Sequence, residues 1–198
     1  MNNRKHLVLA AGFALTALLL AACSGSGPWH GFDISGLMPK LAYTLASETG
    51  ATVRADQYAG KVRLLYFGYT SCPDICPVTL ARLSEAVRLL PKPMRDQVRI
   101  LFVSVDPRRD SPQDLASYTA AFGPRVVGLT GSQEQLQALT RRYRVTYGYG
   151  KTDDSGFYPV SHSSGVFVFD RDGKVRLLLR EDLSAQQIAA DLRRLLGG

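Results

Sequence analysis

Val62-Arg63-Leu64-Leu65-Tyr66-Phe67-Gly68 runs directly into Tyr69-Thr70-Ser71-Cys72-Pro73-Asp74-Ile75-Cys76-Pro77. The first seven residues form an apolar run with the length and composition of a buried strand. Over residues 79–90 the apolar positions Leu80, Leu83, Val87 and Leu90 return at helical spacing, and Pro91 ends the run. Two thiols four residues apart therefore stand where a strand hands over to a helix. Downstream, residues 98–105 read as a second buried strand, 112–122 as a helix and 126–129 as a short strand. Ser132-x-x-Gln135 reads as a capping box opening a helix to about Tyr143. Residues 166–169 and 175–179 flank Asp172-Gly173, a hairpin signal, and Ser184-x-x-Gln187 caps a last helix. Upstream, residues 41–45 and 51–53 bracket Glu48-Thr49-Gly50 as another hairpin. The order predicts an α/β sandwich: a mixed central sheet flanked by helices, parallel in its first half and closed by an antiparallel hairpin.

The N-terminus sets the compartment. A basic start at Arg4 and Lys5, an apolar stretch from Leu7 to Leu20 and small residues before Cys23 read as a secretory signal over residues 1–22, too short for an ordinary span. Leu20-Ala21-Ala22-Cys23 resembles a bacterial lipobox, which assigns Cys23 to a lipid and disposes of the odd cysteine. An uncleaved signal anchor is the alternative, and both put the same domain outside the cytoplasm against a membrane. Ser24-Gly25-Ser26-Gly27-Pro28 is expected to be flexible, reaching roughly 20 Å together with the irregular stretch up to Pro39. The expected organisation is signal 1–22, lipidated tether 23–37 and domain 38–198. The chain carries 24 Lys and Arg against 17 Asp and Glu, a net +7, and two of the basic residues leave with the signal. The rest are scattered, which reads as a solvated basic surface; no basic run with interleaved aromatics points to nucleic acid.

With the signal set aside, Cys72, Cys76, His162 and His30 are the candidate soft ligands. Pro77 suits the first position of a helix, which would put Cys76 at or near the cap, where free N–H groups and the helix dipole favour thiolate. Three intervening residues still allow Cα atoms roughly 5 to 6 Å apart, within disulfide range. The pair can toggle between a disulfide and a chelating dithiolate; a plain stapling disulfide is the alternative. Thiolates alone select Cu(I), and an added imidazole gives an S2N set that also tolerates Cu(II), whereas a structural zinc site wants four protein ligands. His162 precedes a strand in Tyr158-Pro159-Val160-Ser161-His162, and its loop can lie beside the thiol-bearing helix; it is either a ligand or a strand-end residue. His30 falls in the expected tether. Asp110-Ser111-Pro112 is a natural helix start, with Asp110 or Ser111 as its cap and capping the preferred role for Asp110, and Asp106 either turns the chain with Pro107, tunes the site or contacts a partner. The Gly-rich, aromatic stretch 147–157 is expected to form a hairpin.

Three motifs in order, Gly68-Tyr-Thr-Ser-Cys72-Pro-Asp-Ile-Cys76-Pro, Val103-Ser-Val-Asp106-Pro-Arg-Arg-Asp110-Ser-Pro and Val160-Ser-His162-Ser, resemble those of the Sco (SenC-type) proteins over most of residues 36–198. The resemblance implies a thioredoxin-like fold, a membrane tether, and delivery of copper, as Cu(I) or Cu(II), to the CuA site in the copper-site subunit of cytochrome c oxidase. It also implies copper at Cys72, Cys76 and His162. Ser161 departs from the acidic residue that many relatives carry before the histidine. A chaperone of this kind turns over no substrate. The alternatives are a thiol-disulfide oxidoreductase working through Cys72 and Cys76 on a partner's copper-site cysteines and, more distantly, a peroxidase.

Overall fold

Strand β4 (Val62–Gly68) is buried along its whole length and sits in the middle of an eight-stranded sheet. A strand covered on both faces needs apolar residues at every position, and its Arg63 is the exception. The two terminal nitrogens of that guanidinium donate to the carbonyls of Tyr58 (2.6 Å) and Asp170 (2.7 Å). The computed structural model describes residues 28–197; the expected signal and Cys23 lie outside them.

Before β4 come β1 (Phe32–Asp33), β2 (Thr44–Ser47), β3 (Thr52–Arg54) and a 3-10 turn (Ala55–Tyr58). After it come α1 (Ile75–Arg88), α2 (Lys92–Arg95), β5 (Val98–Ser104), α3 (Pro112–Ala120), β6 (Val126–Thr130) and α4 (Gln133–Arg142). The chain finishes with β7 (Tyr147–Tyr149), β8 (Val160–His162), β9 (Val166–Phe169), β10 (Val175–Leu179) and α5 (Ala185–Gly197). The large sheet has the order β1-β10-β9-β4-β5-β6-β2-β3, with β4, β5 and β6 parallel at its centre and antiparallel strands on both sides. The mixed α/β sandwich expected from the residue pattern is the architecture observed.

Because side chains alternate, Leu64, Tyr66 and Gly68 share one face with Ile100 and Phe102. Helix α3 covers that face through Tyr118, whose ring centroid lies 5.4 Å from that of Phe102, and α1 packs over β5 and against α5. Leu65 and Phe167 point to the opposite face, where Tyr143 at the end of α4 meets Phe167 and Phe169 at 5.8 and 5.4 Å.

Local signals place most boundaries. Ser132 and Gln135 exchange capping hydrogen bonds at the start of α4, Ser184 and Gln187 do so before α5, and Gly50 takes φ +78° in the β2–β3 turn. Three expectations fail. Helix α1 begins at Ile75, four residues ahead of the apolar periodicity. The cap of α3 is Ser111, whose hydroxyl accepts from the Asp114 N–H (3.2 Å), and not Asp110. The stretch from Trp29 to Met38 is part of the fold and not tether: β1 pairs with β10, Trp29, Ile34 and Met38 pack on the core, and the N–H groups of His30 and Gly31 donate to the buried Asp191 carboxylate at 3.1 and 2.9 Å.

Candidate metal centre

The loop after β4 is short, and the Val105 N–H bonds the Gly68 carbonyl (2.8 Å) to hold the ends of β4 and β5 together. Asp74 takes the N-cap position of α1, so Ile75, Cys76 and Pro77 are its first three residues. Cys76 therefore lies inside the first turn, two positions past the cap where it was expected, and Pro77 is third; its missing N–H is harmless there because first-turn N–H groups have no intrahelical partner. The Cys76 N–H points back at the Cys72 sulfur (3.4 Å). Both thiols are free; Cys72 is 8% exposed and Cys76 fully buried.

Cys76 fits only because residue 68 is glycine. A Cβ at that position would sit 2.8 Å from the Cys76 Sγ and 2.7 Å from the Phe102 ring. Nothing in the residue pattern singles out Gly68 beyond its place, a glycine closing the strand directly before the cysteine motif.

His162 arrives from a separate two-stranded sheet, as the last residue of β8, which pairs antiparallel with β7 so that His162 opposes Tyr147. The stretch 147–157 thus supplies the first strand and connection of the predicted hairpin, and the histidine ends the second strand. Its Nε2 stands 3.2 Å from the Cys76 Sγ, while Nδ1–H donates to the Ser163 carbonyl (3.0 Å). That hydrogen bond assigns the proton to Nδ1 and leaves the Nε2 lone pair for the sulfur or a metal. The ring is set edge-on between Tyr66 and Tyr69, with centroids at 6.1 and 5.9 Å. Among the described residues, Cys72, Cys76 and His162 form the group able to hold a metal, their donor atoms all within 4.8 Å of one another. His30 is exposed and takes no part in it. Ser161, where an acidic neighbour was in question, is exposed, and the ring is oriented by the Ser163 carbonyl instead.

The electrostatics depart from the helix-cap expectation. Burial, helped by the neighbouring Cys72 side chain, pushes the Cys76 thiol up to about 12, so desolvation outweighs the dipole at this position. Burial also lowers the His162 pKa, despite the opposing Ser163 hydrogen bond. Without a metal Cys76 and His162 both favour their neutral forms, and a cation is what would draw the proton off Cys76.

Two buried carboxylates support the ligand-bearing loops. Asp110, 1% exposed, accepts from the Thr70 N–H (2.9 Å), the Thr70 hydroxyl (2.6 Å) and the Ser104 hydroxyl, tying the loop before Cys72 to β5. Asp106 accepts from the Tyr158 hydroxyl (2.7 Å) and pairs with Arg109. Arg109 also donates to the Tyr158 carbonyl (3.1 Å) and lies 3.9 Å over its ring, clasping the His162 hairpin to the end of β5. Asp106 was open between turn former and tuning residue; Arg109 and Tyr158 were missed, because no local pattern pairs residues so far apart.

Residues 38–197 match the SCO1/SenC family model. The bovine (Bos taurus) mitochondrial protein SCO2 homolog is 39% identical over 153 residues, covering 77% of this chain and 58% of its own length. The chain thus spans less than two thirds of that relative. The copper-bound ScoI structure from Bradyrhizobium japonicum superposes with a TM-score of 0.72 at 34% identity, covering 78% of this chain and 98% of that one. The apo Sco1 solution structure from Thermus thermophilus gives 0.76 at 34% identity, covering 86% and 98%.

Proposed function

This chain belongs to the SCO1/SenC family, and from that premise we propose that it is a copper chaperone whose ligands are Cys72 Sγ, Cys76 Sγ and His162 Nε2. The observation that carries the proposal is the convergence of these three donors within 4.8 Å, two from the loop and helix that follow β4 and one from the separate β7–β8 ribbon. Loading is an exchange of protons for metal: both thiols give up their protons as the two Cu–S bonds form, and the imidazole, already carrying its proton on Nδ1, offers Nε2 without losing one. Two thiolates and one imidazole suit Cu(I) in trigonal geometry and tolerate Cu(II). Release to a partner site is ligand exchange, with Cys72, the less deeply buried of the two cysteines, the first to meet incoming ligands.

The reading extends to the rest of the chain. Residues 1–22 act as a leader and Cys23 carries the lipid, so the domain works on the outer side of a membrane and delivers copper to the CuA site of cytochrome c oxidase. Support comes from the order of the motifs and from the copper-bound relative. A thiol-disulfide oxidoreductase is the second reading, favoured by the closeness of the two sulfurs and opposed by the raised Cys76 pKa, which leaves little thiolate there at neutral pH.

Copper titration of the reduced protein separates them. His162→Ala is expected to lose most Cu(II) affinity and the associated spectrum while retaining thiolate binding of Cu(I) and disulfide exchange. An unchanged Cu(II) affinity and spectrum in that variant would remove His162 from the site. A reduced wild-type protein that ignored copper but exchanged disulfides rapidly would replace the chaperone reading with the oxidoreductase.

A further inference from the structure

The scattered basic residues of the sequence gather in space. Lys61, Arg88, Lys92, Arg95, Arg99 and Arg125 all lie at the end of the sheet where β4, β5 and β6 begin and where α1 ends. The backbone around Asp96 links them: Lys61 Nζ donates to the Asp96 carbonyl (2.6 Å), Arg125 Nε to the Arg95 carbonyl (2.9 Å), and Arg95 Nε to the Leu90 carbonyl (2.7 Å). Against these six cations stand the carboxylates of Glu85, paired with Arg88, and Asp96, 2.7 Å from Arg125, while Asp170 and Asp172 of the neighbouring β9–β10 turn are balanced by Arg176 and Lys174. The face is strongly positive, with Leu89 exposed among the charges. Arg88, Arg95 and Arg125 rim a hollow of about 430 Å³ floored by Val87, Ile100 and Phe122.

The chain enters the domain at this same end. Trp29 rests on Arg194 (3.8 Å) beside the β9–β10 turn, and Arg171 of that turn bonds Gln97 Oε1 (2.6 Å), next to Asp96, and the Leu196 carbonyl at the end of α5 (2.8 Å). Since residues 29–38 are docked, the link from Cys23 to Pro28 is much shorter than the sequence suggested; fully extended it reaches at most about 18 Å. The metal trio lies past the other end of β4, roughly 20 Å of strand away, where Asp74, Asp153 and Asp154 accompany Arg108 and Lys151.

We infer that the basic end of the domain docks on an anionic phospholipid surface, which holds the Cys72–Cys76–His162 end facing away from the bilayer. The inference rests on the anchoring of the chain at Cys23. The occupant follows from the charge of the face and from the short link, whose full extension is only about two Debye lengths, so the face stays within the field of the lipid phosphates for most link conformations. The apolar hollow and Leu89 give headgroup and upper acyl atoms somewhere to settle.

The chain's single tryptophan makes the test direct. Full-length protein is reconstituted into phosphatidylcholine vesicles and into vesicles with added phosphatidylglycerol, each carrying headgroup-labelled quencher, and quenching of Trp29 is read. Quenching is expected to be stronger in the anionic vesicles and to fall at high salt. Each basic residue near an anionic surface is worth roughly fivefold in binding, so reversing three of them (Arg88→Glu, Lys92→Glu, Arg99→Glu) lowers docking by about 100-fold or more. Lys151→Glu, at the metal end, leaves it unchanged, and an unaltered copper titration of the triple variant certifies its fold. Equal quenching in both vesicles, or a triple variant that behaves as wild type, overturns the inference. Failure of the full chain to associate with either vesicle refutes the anchor itself and this orientation with it.

Discussion

Replacing Asp110 with alanine should damage both stability and copper binding, although Asp110 touches neither sulfur. Its carboxylate accepts three hydrogen bonds in a site 1% exposed, two from Thr70 and one from Ser104. Hydrogen bonds to a charged group are worth ~1.5–3 kcal/mol each, and part of that is offset by the cost of burying the carboxylate. Removing it strands the Thr70 N–H and two hydroxyls, of which the hydroxyls can turn elsewhere; the net loss works out to about 3–5 kcal/mol. With an m-value of about 2 kcal/mol/M, the urea midpoint drops by roughly 2 M. Thr70 stands two residues before Cys72, so the loop that presents Cys72 loses its tie to β5 and copper affinity falls as well. Ser111→Ala supplies the contrast: it removes the true cap of α3, costs about 1 kcal/mol and leaves the copper titration alone. Urea unfolding and a competition titration with a Cu(I) chelator measure both effects. If Asp110→Ala cost no more than Ser111→Ala and bound copper normally, the carboxylate would be no more than a piece of helix start and its three donors would hold nothing in place.

Gly68→Ala forces a methyl against the Cys76 sulfur and the Phe102 ring; it is expected to cost about 1–3 kcal/mol and to weaken copper binding, whereas Gly148→Ala, whose nearest neighbour would be 3.5 Å away, does neither in the same two assays. Copper affinity should climb with pH, by at least about tenfold per unit from the Cys76 proton alone, measured by chelator competition across neutral pH; a flat profile would mean that this thiol is already ionised. Stability of the metal-free protein follows the same two groups. The raised Cys76 pKa contributes stability that is present below the unfolded thiol value of ~8.5 and lost as pH climbs toward about 12. The lowered His162 pKa contributes stability present above ~6.5 and lost as pH falls through its folded value, so these groups place the optimum between those limits.

How far the sequence could be read depended on how local each signal was. The full extent of β4 and the capping boxes at Ser132 and Ser184 are written in neighbouring residues, and they came out at the right places. Cys72 and Cys76 announced themselves by spacing alone. Asp110 misled because Asp-Ser-Pro is a good local cap pattern, and the partners that claim its side chain, Thr70 and Ser104, arrive from other elements. The Cys76 pKa went the wrong way for a related reason: a helix terminus is visible in sequence, but the roof of β4 and Phe102 over the sulfur is not. The docking of residues 29–38 depends on a two-residue strand and on Asp191, some 160 positions away, neither of which has a periodic signature.

The three ligands are carried with unequal firmness. Cys76 belongs to the first turn of a fourteen-residue helix and Cys72 to the short loop before it, both packed in the main core, whereas the imidazole belongs to a ribbon of two three-residue strands outside the eight-stranded sheet. Unzipping that ribbon sacrifices few ladder bonds and leaves the body of the protein whole, so it can peel open as its own cooperative unit. Amide exchange should therefore be faster at residues 147–149 and 160–162 than in β4 or β5, and the copper dwell time set by that local opening rather than by global unfolding. A cargo protein built this way keeps a permanent sulfur floor and a detachable lid of nitrogen.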